Sequence, residues 1–240
     1  MMIATVSAFT MAFSQSDFFG KLILFSLIFL SAVSWIVLTY KITTARRMRT
    51  LSRLFQTNLS QEKTPLLQIE FPSSQSNPFQ SIFAILKTKT LEILNKNHYF
   101  LQQKGISDPV YLSPIDLDIL ETHVLTAISS ERKHLEKNLF VLSTIATLAP
   151  FLGLLGTVWG ILVTFAEFHG GGSLSSNATI LSGISTALAT TVLGLIIAIP
   201  ALIAYNYLKA LLADYTSEME DFLYTLLSHI ELQYRKVDLS

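Results

Sequence analysis

Three apolar stretches, separated by polar ones, set the plan of this 240-residue chain. The first, residues 22–40, has no charged residue and is followed by Lys41, Arg46, Arg47, Arg49 and Arg53. The other two lie within residues 139–208, which hold no Lys or Arg and one acid, Glu167. A helix crosses the hydrocarbon layer with about 20 mostly apolar residues, so each stretch is long enough to span a bilayer. Between the first and second the pattern changes. Over residues 79–97, Phe79, Ile82, Phe83, Leu86, Thr90, Ile93 and Leu94 fall on one side of a helix, the mark of an amphipathic element.

Punctuation divides the rest. Residues 60–78 carry Pro65, Pro72 and Pro78 among Ser, Gln and Asn, which reads as a linker. Gly105, Pro109 and Pro114 mark another break. Ser113-Pro114 then reads as a helix start, with proline at the first helical position and Asp116 and Asp118 near the positive end of the dipole. From there the pattern predicts one helix of roughly 55 residues, or about 80 Å, running to Phe168 and bent at Pro150. The third apolar helix is expected to kink at Pro200. It is expected to continue past Leu208, with Leu211, Leu212, Tyr215, Phe222 and Leu226 as its apolar side.

Composition turns these helices into a class. Half of the residues are hydrophobic, only 14% are charged, and the mean hydropathy is +0.48, too apolar for an ordinary soluble domain. A formal net charge of zero gives no reason to expect nucleic acid as a partner. Of 17 basic residues, 13 fall within 41–137, so the positive-inside rule places that segment in the cytoplasm. The expected fold is an all-α integral membrane protein with three transmembrane helices, N-out and C-in, in which helices 2 and 3 are long and extend into the cytoplasm. Its parts are an N-terminal periplasmic segment 1–20, spans at 21–40, 138–168 and 178–208, a cytoplasmic helical domain 41–137, a periplasmic loop 169–177 and a cytoplasmic C-terminal helix 209–240. Residues 1–20 lack the basic leader of a secretory signal, so the first stretch reads as a retained helix, with a cleaved signal peptide as the alternative. The 41–53 basic cluster reads as a topology anchor at anionic headgroups.

The second and third stretches carry small and hydroxyl residues at steps of three and four. In the second they are Ala149, Gly153, Gly156, Thr157, Gly160 and Thr164; in the third, Gly183, Ala187, Thr190, Thr191, Gly194, Ala198 and Ala201. Such faces allow close helix packing, with Ala149, Gly153, Gly156, Gly160, Gly183, Ala187 and Gly194 as the contact positions. They also present hydroxyls, which is how a polar pathway is walled. Plain packing is the alternative: Thr157 and Thr191 can bond carbonyls one turn back. No titratable group stands at mid-depth, and a threonine orders water without ionising, so a proton relay needs an acid from another chain. With no Cys, and no buried His, Asp or Glu in the spans, an intramembrane enzyme has no catalytic residues. His98, His123, His134 and His229 show no metal-ligand spacing, and no cofactor is implied. Residues 170–172, all glycine, read as an external turn.

These residues resemble a known family. GLLGTVWGI at 153–161, preceded by Ala149-Pro150, is similar to the second-helix signature of the TolQ/ExbB branch of the MotA/TolQ/ExbB proton channel family, closest to TolQ. GISTALATTVLGLIIAIPALIAYN at 183–206 is similar to the third-helix signature, and Ser34-Trp35 agrees with the first. The resemblance implies a homo-oligomer, a pentamer, in a bacterial inner membrane. It also implies a TolR/ExbD-like single-span partner carrying a membrane aspartate, and a TolA/TonB-like protein that receives the force. Proton flow would then act on a periplasmic or outer-membrane system such as Tol-Pal or TonB-dependent import. Two pore hydroxyls of the family carry over to Thr157 and Thr191; Thr186 and Thr190 join them as expected pore-lining residues. Thr186 is also a departure, since many relatives have glutamate there. A non-conducting scaffold for an envelope complex is the competing expectation.

Overall fold

The computed structural model describes residues 13, 16–61, 66–69, 77–105, 109–169 and 177–235, with side chains left undescribed at 60, 167–169, 177–180 and 182. The expected external turn at 170–172 lies outside the described residues, as do most of the N-terminal segment and much of the expected linker. The elements are α1 (Phe18–Gln61), a 3-10 turn (Leu66–Gln68), α2 (Pro78–Gln103), α3 (Pro114–Glu136), α4 (Leu139–His169) and α5 (Asn177–Tyr234). There is no strand among the described residues. Three stretches of helix, Phe18–Leu59, Leu139–Ala166 and Gly183–Tyr234, are long and apolar enough to cross a membrane. The protein is an all-α membrane protein.

The chain divides into two compact units, residues 1–41 with 138–209 and residues 42–137 with 210–240. The division falls inside α1 and inside α5.

In the first unit the core is thin. Ile23 and Leu27 of α1 meet Ile145 and Ala149 of α4 and Ile197, Ala198 and Ala201 of α5. Large apolar side chains face outward instead: Phe25, Phe29 and Ile36 from α1, Phe151 and Val158 from α4, Ile199 and Ile203 from α5 are all more than half exposed. Such a surface is unfavourable against water and suits a hydrocarbon medium. Pro150 lies inside α4 and Pro200 inside α5, and both helices continue through them. Each proline removes one helical N–H donor, leaving the carbonyl four residues earlier without its usual partner.

The second unit is a water-type helical core. Phe79, Ile82, Phe83, Leu86 and Thr90 of α2, Leu120, Val124 and Ile128 of α3, and Tyr215, Met219, Leu223 and Leu226 of α5 are buried. The helix starts are written locally. Asn77 accepts the Phe79 N–H at 3.1 Å ahead of Pro78. Ser113 and Asp116 form a reciprocal capping box ahead of Pro114. The 60–78 stretch also contributes packing, because Leu67 and Ile69 are buried and the Ile69 carbonyl accepts Lys87 Nζ at 2.9 Å.

One expectation is corrected. The single helix expected from Pro114 to Phe168 is two helices, because α3 ends at Glu136 and α4 begins at Leu139. Lys137 is extended at ψ 134° and Asn138 takes a left-handed φ of 68°. Asparagine tolerates that conformation better than most residues and commonly closes helices, and Lys133 and His134 suit the negative end of α3.

Candidate functional site in the hydroxyl seam of the spans

Where α4 and α5 meet, their main chains come close. A Cβ added at Gly194 would lie 2.6 Å from the Ala149 carbonyl oxygen, and one at Gly153 would lie 2.9 Å from that of Thr190. Those neighbours are backbone and have nowhere to move, so only glycine permits the approach. Gly156 faces the Thr190 side chain, Gly160 faces Ala187, and Gly183 faces Thr164. Ala149 and Ala187 are buried beside them.

This proximity gathers hydroxyls onto carbonyls of the opposite helix. Thr190 Oγ1, on a residue only 3% exposed, lies 3.1 Å from the Gly153 oxygen of α4 and 2.7 Å from its own Ala187 oxygen. Thr191 Oγ1 also reaches Gly153 O at 3.1 Å. Thr157 Oγ1 lies 3.2 Å from Gly153 O, one turn back, and 3.1 Å from Ala187 O across the seam. The Thr157 and Thr191 hydroxyls are also in direct hydrogen-bond contact with each other. Thus Thr157, Thr190 and Thr191 converge on two main-chain oxygens. Thr157 and Thr191 are half-buried, whereas Thr190 is buried. Thr186 is half-buried on α5 outside this cluster. Thr164 Oγ1 bonds Gly160 O at 2.8 Å, the ordinary one-turn-back contact.

Sequence reasoning missed a carboxylate. Asp17, immediately before α1, accepts the Trp159 indole N–H at 2.8 Å through Oδ2, while its Oδ1 accepts the Gly20 N–H at 2.9 Å. Phe19 packs on the Trp159 ring, with centroids 4.5 Å apart. Asp17 thus caps α1 and also ties it to the signature tryptophan of α4. The cap is legible, as an acid ahead of an apolar helix. The tie, between residues 142 apart, is not.

The described residues contain no group of three or more His, Cys, Asp or Glu arranged to hold a metal ion. The seam can order water and donor groups by hydrogen bonding, but its hydroxyls do not ionise at neutral pH.

Comparison with known proteins places these helices. The profile of the MotA/TolQ/ExbB proton channel family matches residues 97–221. The chain is 47% identical over 76 residues to a biopolymer transport protein ExbB of Aquifex aeolicus, covering 32% of this chain and 51% of that protein. It therefore spans about half the length of that relative. An ExbB of Xanthomonas campestris is 26% identical over 217 residues, 90% of this chain and 83% of the relative. A Tol-Pal system protein TolQ of Pseudomonas aeruginosa is 44% identical over 86 residues, 35% of this chain and 36% of the relative.

Proposed function

The chain belongs to the MotA/TolQ/ExbB proton channel family, and we propose that it is the ring-forming subunit of a proton-driven stator in a bacterial inner membrane. Five copies surround the single membrane helix, or pair of helices, of a TolR/ExbD-like partner. A TolA-like or TonB-like protein carries the resulting force to a periplasmic or outer-membrane system. The N-terminus is outside, and the 41–137 domain and the C-terminal helix are cytoplasmic. Thr157, Thr191, Thr186 and Thr190 wall the conducting corridor, with Thr190 the most buried of the four. Pro150 and Pro200 bend the two helices that form the wall.

The observation that supports this reading most is the hydroxyl seam itself. It is a dense polar cluster in spans that hold no charged residue beside it. Polar groups in a bilayer are costly enough that their concentration signals use. Because the seam has no acid, the titrating carboxylate comes from the partner. The test is reconstitution into vesicles under a membrane potential, with and without a single-span partner bearing a membrane aspartate. Proton flux is expected only with the partner, and Thr157→Val together with Thr191→Val is expected to lower it at least tenfold while leaving the assembly intact. Flux from the lone ring refutes the reading.

The scaffold reading has one observation in its favour: hydroxyl bonds to carbonyls across α4 and α5 stitch helices whether or not ions pass. It requires the double valine variant to keep envelope function wherever the complex still assembles.

A further inference from the structure

The face that α4 turns to α5 is smooth. Gly153, Gly156 and Gly160 line it at steps of three and four, so at those levels the helix offers no side-chain ridge to interlock with its neighbour. Such a face allows close approach but gives little resistance to rotation about the helix axis. The hydroxyl contacts across the seam resist it only weakly, because single hydrogen bonds between helices in lipid are modest. Toward the N-terminus of α4, Ile145 and Ala149 are fixed in the core shared with α1 and α5. Pro150 follows directly, and the backbone bond it removes loosens the stretch after it from that anchorage. The rotation of residues 151–169 therefore needs a hold of its own.

That hold lies on the far side of the helix. Trp159 is two residues past Thr157, and successive side chains are about 100° apart, so the two point about 160° away from each other. The indole packs on Phe19 and donates to Asp17, while the Thr157 hydroxyl meets Thr191 and the Ala187 oxygen. Asp17 is itself firmly seated. Its other carboxylate oxygen takes the Gly20 N–H, and its main-chain oxygen takes the Lys21 N–H at 3.0 Å. A Cβ at Gly20 would come within 2.9 Å of that carboxylate oxygen, so glycine leaves the acid its place. A hydrogen bond to a carboxylate is also stronger than one to a neutral oxygen. The lever is short. Turning α4 by about 20° moves an atom about 4 Å from its axis by about 1.4 Å, enough to take an O–H···O contact out of range.

We propose that Asp17 is a positioning residue for the hydroxyl pair: through Trp159 it sets the rotation of the later half of α4 and so holds Thr157 against Thr191. It does this from a different helix and bonds neither hydroxyl. The first turn of α1 thus indexes the wall that α4 and α5 form. The effect on proton flux rests on the stator reading, whereas the effect on geometry holds without it.

The chain has no cysteine, so Thr157→Cys with Thr191→Cys introduces a single pair whose oxidative cross-linking within one chain reports their approach. The full-length protein is placed in vesicles, alone for cross-linking and, with the threonines restored, beside a single-span partner bearing a membrane aspartate for proton flux. Asp17→Ala is expected to slow cross-linking and to lower flux, each about fivefold, the worth of one hydrogen bond. Trp159→Phe, which keeps a ring for Phe19 but has no N–H, is expected to do the same, and it decides the matter where Asp17→Ala does not assemble. The two together should be no worse than either alone, the mark of one shared contact. Asp17→Asn keeps an acceptor for the indole and should hold both readings within about twofold of wild type. Cross-linking unchanged by Asp17→Ala and by Trp159→Phe overturns the inference, as do effects that multiply in the double variant or a parent cysteine pair that does not cross-link. Should cross-linking fall while flux persists, Asp17 still positions the pair, and it is the stator reading of Thr157 and Thr191 that fails.

Discussion

The two units of this molecule solve the same packing problem with opposite materials. In the first, α4 and α5 meet through Gly153, Gly156, Gly194 and Ala149, many of the large side chains point outward, and the seam between the two helices is held by hydroxyls on main-chain oxygens and on each other. In the second, large side chains fill the centre. Phe79 lies 5.2 Å from Phe222 and 5.5 Å from Tyr215, and Phe55 lies 6.2 Å from Phe222. Its polar groups form a network, with Ser52 joined to Tyr215 at 2.6 Å and to Asn77 at 3.3 Å, and Asn77 Nδ2 donating to Leu51 O. The first arrangement suits lipid and the second suits water. Water drives large apolar groups together, whereas lipid gives helices no such push and leaves close van der Waals contact and hydrogen bonding as the glue.

Substitutions chosen to damage one unit and spare the other put this contrast to the test. The largest effect is expected from Phe79→Ala. The ring is fully buried, and truncation of such a side chain costs about 3–5 kcal/mol. Hydrogen exchange should accelerate in α2 and α3 and stay unchanged in the 139–166 stretch of α4; acceleration in both places would mean that the units do not hold separately.

The next effect depends on pH. Burial pushes the Tyr215 hydroxyl up to about 12, with the Ser52 hydrogen bond opposing the shift. The unfolded chain releases this proton near pH 10 and the folded one near 12, so in that window the native state holds more protons and stability falls as pH rises. The loss reaches on the order of 2–3 kcal/mol above pH 12. Tyr215→Phe should remove this alkaline component in a pH series of unfolding of the second unit, and an unchanged series would contradict the assignment.

A third substitution, Gly194→Ala, strikes the first unit. Its new methyl meets the Ala149 carbonyl at 2.6 Å, an overpacking of about 1–3 kcal/mol in a place where no side chain can yield. The detergent-solubilised protein should melt earlier, with the Ser52–Tyr215 network unaffected. In the second unit, a substitution that adds one methyl in a region able to relax should cost less.

Much of this was legible in the sequence, for identifiable reasons. The spans follow from length and composition, and the start of α3 follows from Ser113-Pro114 with Asp116, because a cap is a local device. Burial would raise the Asp116 carboxyl, but hydrogen bonds from Ser113 and Asn97 outweigh it and hold it below its usual range. The helix break was not legible because only two residues, Lys137 and Asn138, make it. Asn138 sits in an otherwise helical run, and only its tolerance of positive φ marked the place. The seam was half legible. Threonine spacing put Thr157, Thr190 and Thr191 on helix faces, but nothing in the chain said that all three would share the Gly153 oxygen. The Asp17–Trp159 and Ser52–Tyr215 contacts join residues far apart in the sequence, and no spacing rule reaches them.

The two tryptophans show what such a distant contact does. Trp35 is 58% exposed, so its ring is open to the surroundings, and indoles so placed commonly anchor a helix where lipid meets water. Trp159 has only one N–H, and Asp17 takes it, so this indole has no proton left for a headgroup carbonyl. The first ring is free to meet whatever surrounds the helix; the second is spoken for internally, a rivet between the outset of α1 and the later half of α4.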